Sequence, residues 1–189
     1  MKPPVDAIEA LFNGVHADPF SILGVHAGPK GLFARIILPG AETAEAHDLS
    51  GTSLGTLKRV DDRGLYEGKD KGKRQPVKYQ GGVSNASWWV TDPYSFGPVL
   101  GPVDDLLIAE GTHFRLFDKL GAHLIQHEGA DGVHFAVWAP NAQRVSVVGD
   151  FNDWDGRRHL MRKRTDIGVW EIFVPDIAEG RAYKYQITA

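Results

Sequence analysis

Gly31-Leu32-Phe33-Ala34-Arg35-Ile36-Ile37-Leu38-Pro39-Gly40-Ala41 returns 101 positions later as Gly132-Val133-His134-Phe135-Ala136-Val137-Trp138-Ala139-Pro140-Asn141-Ala142. Working outward, Phe20-Ser21-Ile22-Leu23-Gly24-Val25-His26 is matched by Phe117-Asp118-Lys119-Leu120-Gly121-Ala122-His123. Gly64-Leu65-Tyr66-Glu67 is matched by Gly168-Val169-Trp170-Glu171, and Val77-Lys78-Tyr79-Gln80 by Tyr183-Lys184-Tyr185-Gln186. In chain order the four offsets are 97, 101, 104 and 106 positions. An offset that only rises, in small steps, is that of one unit duplicated in tandem with loop insertions.

The period within each copy is two. Val145 and Val147, then Trp170, Ile172 and Val174, alternate with other residues as half-buried strands do. Pro39-Gly40, Asp62-Arg63-Gly64, Gly81-Gly82, Pro140-Asn141 and Asp155-Gly156 mark turns between such runs. Short strands between closely spaced turns predict an all-β chain: two tandem immunoglobulin-like β-sandwiches joined by a short helical linker. Ile8, Leu11 and Phe12, with Pro4 before and Asn13-Gly14 after, predict an N-terminal helix within residues 1–16. The first sandwich then takes residues 17–101. Pro102 and Gly111 bracket a helical linker over 102–112, and the second sandwich takes 113–189. Thr91 and the Asp92-Pro93-Tyr94 that follows have no counterpart before Ala189. The second sandwich is therefore expected to be C-terminally truncated and the chain to be the front piece of a longer protein.

Composition excludes several classes. The 189 residues carry 21 basic and 24 acidic side chains, a net charge of −3, and 42% are hydrophobic, which is a globular balance. The absence of cysteine rules out disulfide scaffolds, thiolate zinc sites and cysteine nucleophiles. No basic excess points to nucleic acid. The longest apolar run, Phe135 to Ala139, is five residues, against the roughly 20 of a membrane helix. With no hydrophobic stretch at the amino end either, a soluble cytoplasmic chain is expected, with neither nucleic acid nor membrane as partner.

No catalytic residue, metal or cofactor is expected. His123 and His127 fall on a strand, where positions four apart lie about 13 Å from each other, too far for one zinc ion. Asp150, Asp153 and Asp155 crowd one turn without the spacing of a calcium loop. The basic runs Lys69–Arg74 and Arg157–Arg164 read as solvated loops and hairpin edges.

The most specific local feature is Val147-Val148-Gly149-Asp150-Phe151-Asn152-Asp153-Trp154-Asp155-Gly156. A strand delivers a tight polar turn that sets an indole beside amide and carboxylate groups, which suits the weakly apolar face and hydroxyl rim of a sugar. The aligned stretch of the first copy, Asp48-Leu49-Ser50-Gly51-Thr52-Ser53, has no aromatic. Trp154 is read as a recognition platform or as core, and Phe151 as core. Trp138 is read as core or interface packing, and Trp170 as a buried ring or an exposed platform. Lys184, between Tyr183 and Tyr185, faces outward, free to bond hydroxyls or simply solvated. Of the adjacent Trp88 and Trp89, one points in and one out.

At these residues the chain resembles the amino-terminal region of bacterial glycogen branching enzymes, including their starch- and glycogen-binding module. The resemblance is carried by Asp18-Pro19-Phe20-Ser21-Ile22-Leu23-Gly24-Val25-His26, by Asp92-Pro93-Tyr94-Ser95-Phe96-Gly97-Pro98, by Glu110-Gly111-Thr112-His113 and by Val137-Trp138-Ala139-Pro140-Asn141-Ala142. Asp150-Phe151-Asn152-Asp153-Trp154 extends it. It implies two β-sandwiches ahead of an α-amylase-type barrel, in an enzyme that moves α-1,4 glucan segments to 6-hydroxyls and so creates α-1,6 branches in glycogen biosynthesis. The catalytic carboxylates of such enzymes lie in barrel motifs that this chain lacks, so it is expected to be inactive alone. The implied partners are α-glucan (glycogen, maltooligosaccharides) and the catalytic barrel of the same parent chain. The implied glucan contacts are Trp154 and Lys184, with Trp138 and Pro140 near a second stretch, and Asn152 and Trp170 as further candidates. A free-standing glycogen-binding regulatory module and a protein-interaction sandwich are the competing readings.

Overall fold

A computed structural model describes residues 3–28 and 31–189. Met1 and Lys2, the start of the stretch read as lacking a secretory signal and of the expected 1–16 segment, lie outside the described residues. The chain is mostly β, and its described residues divide into two compact units, one of 20–28 with 31–97 and one of 3–19 with 98–189. No described helix is long and apolar enough to cross a membrane.

In the first unit, β1 (Gly24–Gly28), β2 (Gly31–Ile37), β3 (Thr43–Asp48), β4 (Ser53–Asp61), β5 (Leu65–Asp70), β6 (Val77–Val83) and β7 (Ala86–Thr91) form one antiparallel sheet in the order β1-β2-β5-β4-β3-β6-β7. The nine-residue β4 changes partner along its length: Ser53 to Leu57 pair with β3, and Lys58 to Asp61 with β5. Strands at opposite ends of that order feed one core, Val25 and Ala34 from one end and Val77 and Tyr79 from the other, so the sheet folds over upon itself. Trp88 packs against this core while Trp89 points out, as alternation requires.

The second unit holds both helices, α1 (Val5–Phe12) and α2 (Pro102–Ala109). Its strands are β8 (Gly121–His127), β9 (Ala130–Trp138), β10 (Arg144–Gly149), β11 (Arg162–Arg164), β12 (Val169–Pro175) and β13 (Tyr183–Thr188). They form a four-stranded sheet β11-β12-β9-β8 and a pair β10-β13. Every residue of β12 is buried. One face meets the layer of β10 and β13. On the other, Val169 packs with Leu100, Ala136 and Ile167, and Ile108 of α2 closes over them.

The duplication is visible at the level of single hydrogen bonds. Ile36 pairs with Tyr66 as Val137 pairs with Trp170. The N–H of Leu38 donates to Gly64 O at 2.8 Å, and that of Ala139 to Gly168 O at 2.9 Å. The His26 ring nitrogen Nε2 meets Leu23 O at 2.8 Å, and that of His123 meets Leu120 O at 2.9 Å. Gly64 and Gly168 both have positive φ, and a Cβ on either would stand within 3.0 Å of the turn that follows the first long strand. Only glycine passes there.

Candidate functional site: an indole loop over the Lys184 face

Between β10 and β11 the chain makes a 3-10 turn over Asp150–Asn152 and then a loop. Asn152 organises both. Its Oδ1 accepts from Gly149 N at 2.9 Å, and its Nδ2 donates to Val147 O and to His159 Nδ1, each at 2.9 Å. Asp153 and Trp154 follow with φ of 58° and 57°. Two successive side-chain-bearing residues in the left-handed region cost about 1–2 kcal/mol each. The strain is held by Trp154 N donating to Gly149 O at 2.9 Å and by the Arg157 guanidinium, which grips Asp155. That grip, helped by the Arg157 backbone N–H, lowers the Asp155 carboxyl to about 2. From behind, the end of α1 closes in: a Cβ on Gly14 would lie 2.7 Å from Arg157 Cγ.

Phe151 turns inward as expected, stacking on Phe135 with centroids 5.9 Å apart. Phe135 in turn meets the Tyr183 ring at 5.0 Å, edge to face. Tyr185 donates from its hydroxyl to Gly121 O at 2.9 Å. Both tyrosines thus face the four-stranded sheet, and Lys184 faces away from it. The loop doubles back onto that outer face of β13, and a Cβ on Gly156 would stand 1.7 Å from Gln186 Oε1. Trp154, 47% exposed, is presented beside the Lys184 and Gln186 face.

His159 lies under the loop, its ring 5.7 Å from Phe151. Burial, with the nearby Arg158 charge adding to it, lowers its pKa to about 4. The geometry agrees. Asn152 Nδ2 has only protons to offer, so Nδ1 must accept and the ring must be neutral.

The six expected contacts separate into three groups. Trp154 and Lys184 are brought to one surface. Trp138, 60% exposed, and the exposed Pro140 lie elsewhere. Trp138 pairs with Val169, on the face of β9 shared with Ala136, opposite to the face that carries Phe135 toward β13. Core packing of Trp138 is therefore corrected: its position at the strand's end leaves it uncovered. Trp170 and Asn152 are not surface groups. Trp170 is 1% exposed, its Nε1–H donating to Ala139 O at 3.0 Å, and Asn152 is equally sealed by the bonds above. Both act from the interior, as props rather than platforms. Gln186 and the Asp155–Arg157 clamp escaped the sequence reading. Gln186 was within reach, since it lies two residues from Lys184 and period two puts it on the same face.

Comparison with known proteins places this arrangement. Residues 119–189 match the family described as carbohydrate-binding module 48 (isoamylase N-terminal domain), so the unit that carries the indole loop is of a carbohydrate-binding class. Residues 4–94 match the N-terminal domain of the alpha-1,4-glucan branching enzyme GlgB. The chain is 73% identical over 187 residues to the 1,4-alpha-glucan branching enzyme GlgB of Novosphingobium aromaticivorans, covering 99% of this chain and 26% of that protein. With the enzyme of the same name from Mesorhizobium japonicum it shares 63% over 185 residues, 97% of this chain and 25% of that one. It thus belongs to the branching-enzyme family, as its amino-terminal region, and spans about a quarter of the length of those relatives. Among solved structures, a pullulanase from an Anoxybacillus species complexed with maltotetraose is 20% identical over 82% of this chain and 21% of its own, with a TM-score of 0.32, too slight a likeness to build on.

Proposed function

We propose that this chain is the glucan-handling front of a 1,4-α-glucan branching enzyme, holding glycogen or maltooligosaccharide chains near a catalytic barrel of the same parent protein. In this reading the units are tandem immunoglobulin-like sandwiches over 17–101 and 113–189, preceded by the helical segment 1–16 and joined by the linker 102–112. The single observation that carries the reading is the strained, clamped loop that holds Trp154 half open beside Lys184 in the carbohydrate-module region. An indole so placed offers a sugar ring an apolar shelf, and the Lys184 ammonium can donate to its hydroxyls. Stacking on one ring is worth about 1–3 kcal/mol by analogy with base stacking, and with a few hydroxyl bonds of about 1 kcal/mol each one contact reaches about 4 kcal/mol, on the order of millimolar. Glycogen offers many chain ends at once, and multivalency raises the apparent affinity without slowing release of any one chain. Trp138 and Pro140 form a separate glucan-contact stretch. The exposed Phe114 and Phe117 support a covering protein layer, for which we take the barrel.

Electrophoresis in native gels cast with glycogen tests the reading. The wild-type chain is retarded, and Trp154→Ala runs markedly faster in glycogen while keeping its mobility in plain gels. Identical mobilities in glycogen would remove Trp154 from the site. An iodine-based branching assay on the 189-residue chain is expected to stay blank.

A further inference from the structure

The repeat assigns Lys184 and Gln186 counterparts in the first unit, Lys78 and Gln80, and the sheet register agrees. Lys78 pairs with His47 and Gln80 with Glu45, as Lys184 pairs with Val148 and Gln186 with Ser146. Val77 and Tyr79 enter the core, so Lys78 and Gln80 face outward. The second unit brings an indole to this pair from the loop after β10. The first unit has only the short turn Asp48–Thr52 there, and no aromatic in it. An indole nevertheless arrives, from the other side: Trp89 of edge strand β7 pairs with Gln80 and is 50% exposed.

Its seat is built rather than incidental. The Lys78 ammonium lies over one face of the Trp89 ring, 4.9 Å from its centroid, and the His47 ring meets the indole at 4.8 Å in an edge arrangement, so a sugar would take the ring's other face. Both supports are themselves tied to the short turn, Lys78 Nζ donating to Leu49 O at 3.1 Å and His47 Nδ1 lying 3.1 Å from Gly51 O. The turn is closed by Asp48, which accepts from Ser50 Oγ at 2.6 Å and from Thr52 N at 2.9 Å. An ammonium has three protons, so Lys78 keeps donors in hand after serving Leu49. Gln80, whose Nε2 lies 3.4 Å from Ser87 Oγ, adds amide groups beside the ring.

We propose that the first unit carries a second α-glucan platform, formed by Trp89 with Lys78 and Gln80, at the sheet position that Lys184 and Gln186 occupy in the second unit. The inference rests in part on the reading of Trp154 and Lys184 as a glucan site, and its test separates the two. The ligand class follows from the residues: a half-open indole for the apolar face of a pyranose, flanked by an ammonium and an amide for its hydroxyls. Two such platforms on one chain would let a single glucan particle be held twice, and the second binding step is then intramolecular.

The chain has five tryptophans, hence five indole N–H resonances in a nitrogen-15 correlation spectrum, assignable by the peak each of Trp89→Phe and Trp154→Phe removes. Maltoheptaose is titrated into the 189-residue protein. The expected result is that the Trp89 and Trp154 resonances both move and saturate, each at millimolar sugar, and that Gln80→Ala weakens the Trp89 titration about threefold, one lost hydroxyl bond, while the Trp154 titration is unchanged. A Trp89 resonance that stays still while Trp154 moves overturns the second platform and leaves the proposed function standing. Movement of Trp89 alone upholds the second platform and overturns the Trp154 site. Stillness of both overturns the two together.

Discussion

In the first unit four residues, Leu49 to Thr52, carry the chain from β3 into β4, and the Asp48 carboxylate closes the turn on Ser50 and Thr52. In the second, the equivalent connection leaves β10 through a 3-10 turn, places three residues, Asp153, Trp154 and His159, in the left-handed region and regains the sheet only where Ser146 meets Leu160. The longer loop costs strain and is stabilised by Asn152, Arg157 and the end of α1. The shorter turn is stable by itself and instead holds Lys78 and His47. The flanking strands are the same duplicated strands in the same register. The difference teaches that the sheet fixes where a lysine and a glutamine stand, and that a loop or a neighbouring strand decides which indole joins them.

Equivalent glutamates offer the largest test of how far the two copies have diverged. Glu171 is buried in the second unit and accepts from Val99 N, Leu100 N, His134 and Arg164. Burial pushes its carboxyl up, but the His134 bond and the two backbone N–H groups outweigh it and hold the pKa below the usual range. Glu67 meets Arg35 at a more open site. Glu171→Ala is expected to destabilise its unit by about 3–5 kcal/mol, because the buried His134 ring and the Val99 and Leu100 N–H groups lose their acceptor, while Arg164 keeps Asp105. Glu67→Ala should cost its unit about 1–2 kcal/mol. Urea midpoints followed separately at the Trp89 and Trp170 indole resonances measure both, and equal losses would show that the copies are energetically alike.

Asn152→Ala comes next. It leaves Gly149 N and Val147 O without partners, at about 2–3 kcal/mol, and frees the loop from its strained form, so glycogen retardation should fall even though Trp154 is retained. Retardation equal to wild type would mean that the loop's conformation is not what presents the indole.

The two units also carry opposite pH trends. His159, lowered from 6.5 to about 4, refuses in the folded state a proton that the unfolded chain accepts. Stability of the second unit therefore declines as pH falls from 6.5 toward 4. Asp92 behaves in the reverse sense. Fully buried, and accepting from Tyr94 N and the Tyr79 hydroxyl, its carboxyl is raised by burial from 3.8 to about 7. The folded state holds a proton that the unfolded chain releases, so the first unit declines as pH rises from about 4 to 7. Asp92→Asn should raise the first unit's midpoint at pH 8 and change it little at pH 4. Parallel trends at the two resonances would contradict the assignment of these groups to separate units.

Much of this was legible in the residues alone. Gly64 and Gly168, Pro39 and Pro140, and the two Leu-Gly-x-His stretches announced their equivalence because each marks a backbone requirement that few side chains meet. α1 and α2 were legible from Pro4, Pro102 and the glycines beyond them. The grouping of α1 with the second unit was not, since the partner of a two-turn apolar stripe is not local information. Trp138 and Trp170 show the same limit: both lie at one end of the paired strands β9 and β12, yet one is open and the other sealed.

The duplication, the all-strand character and the polar turn around Trp154 belong to the amino-acid order itself, because turn chemistry and period two act between near neighbours. Which indoles face water, how Asn152 and Arg157 hold the loop against its strain, and how Trp89 reaches the counterpart of the Lys184 face were decided only by the tertiary structure. Burial depends on the second layer that covers a strand, and that layer comes from residues far away along the chain.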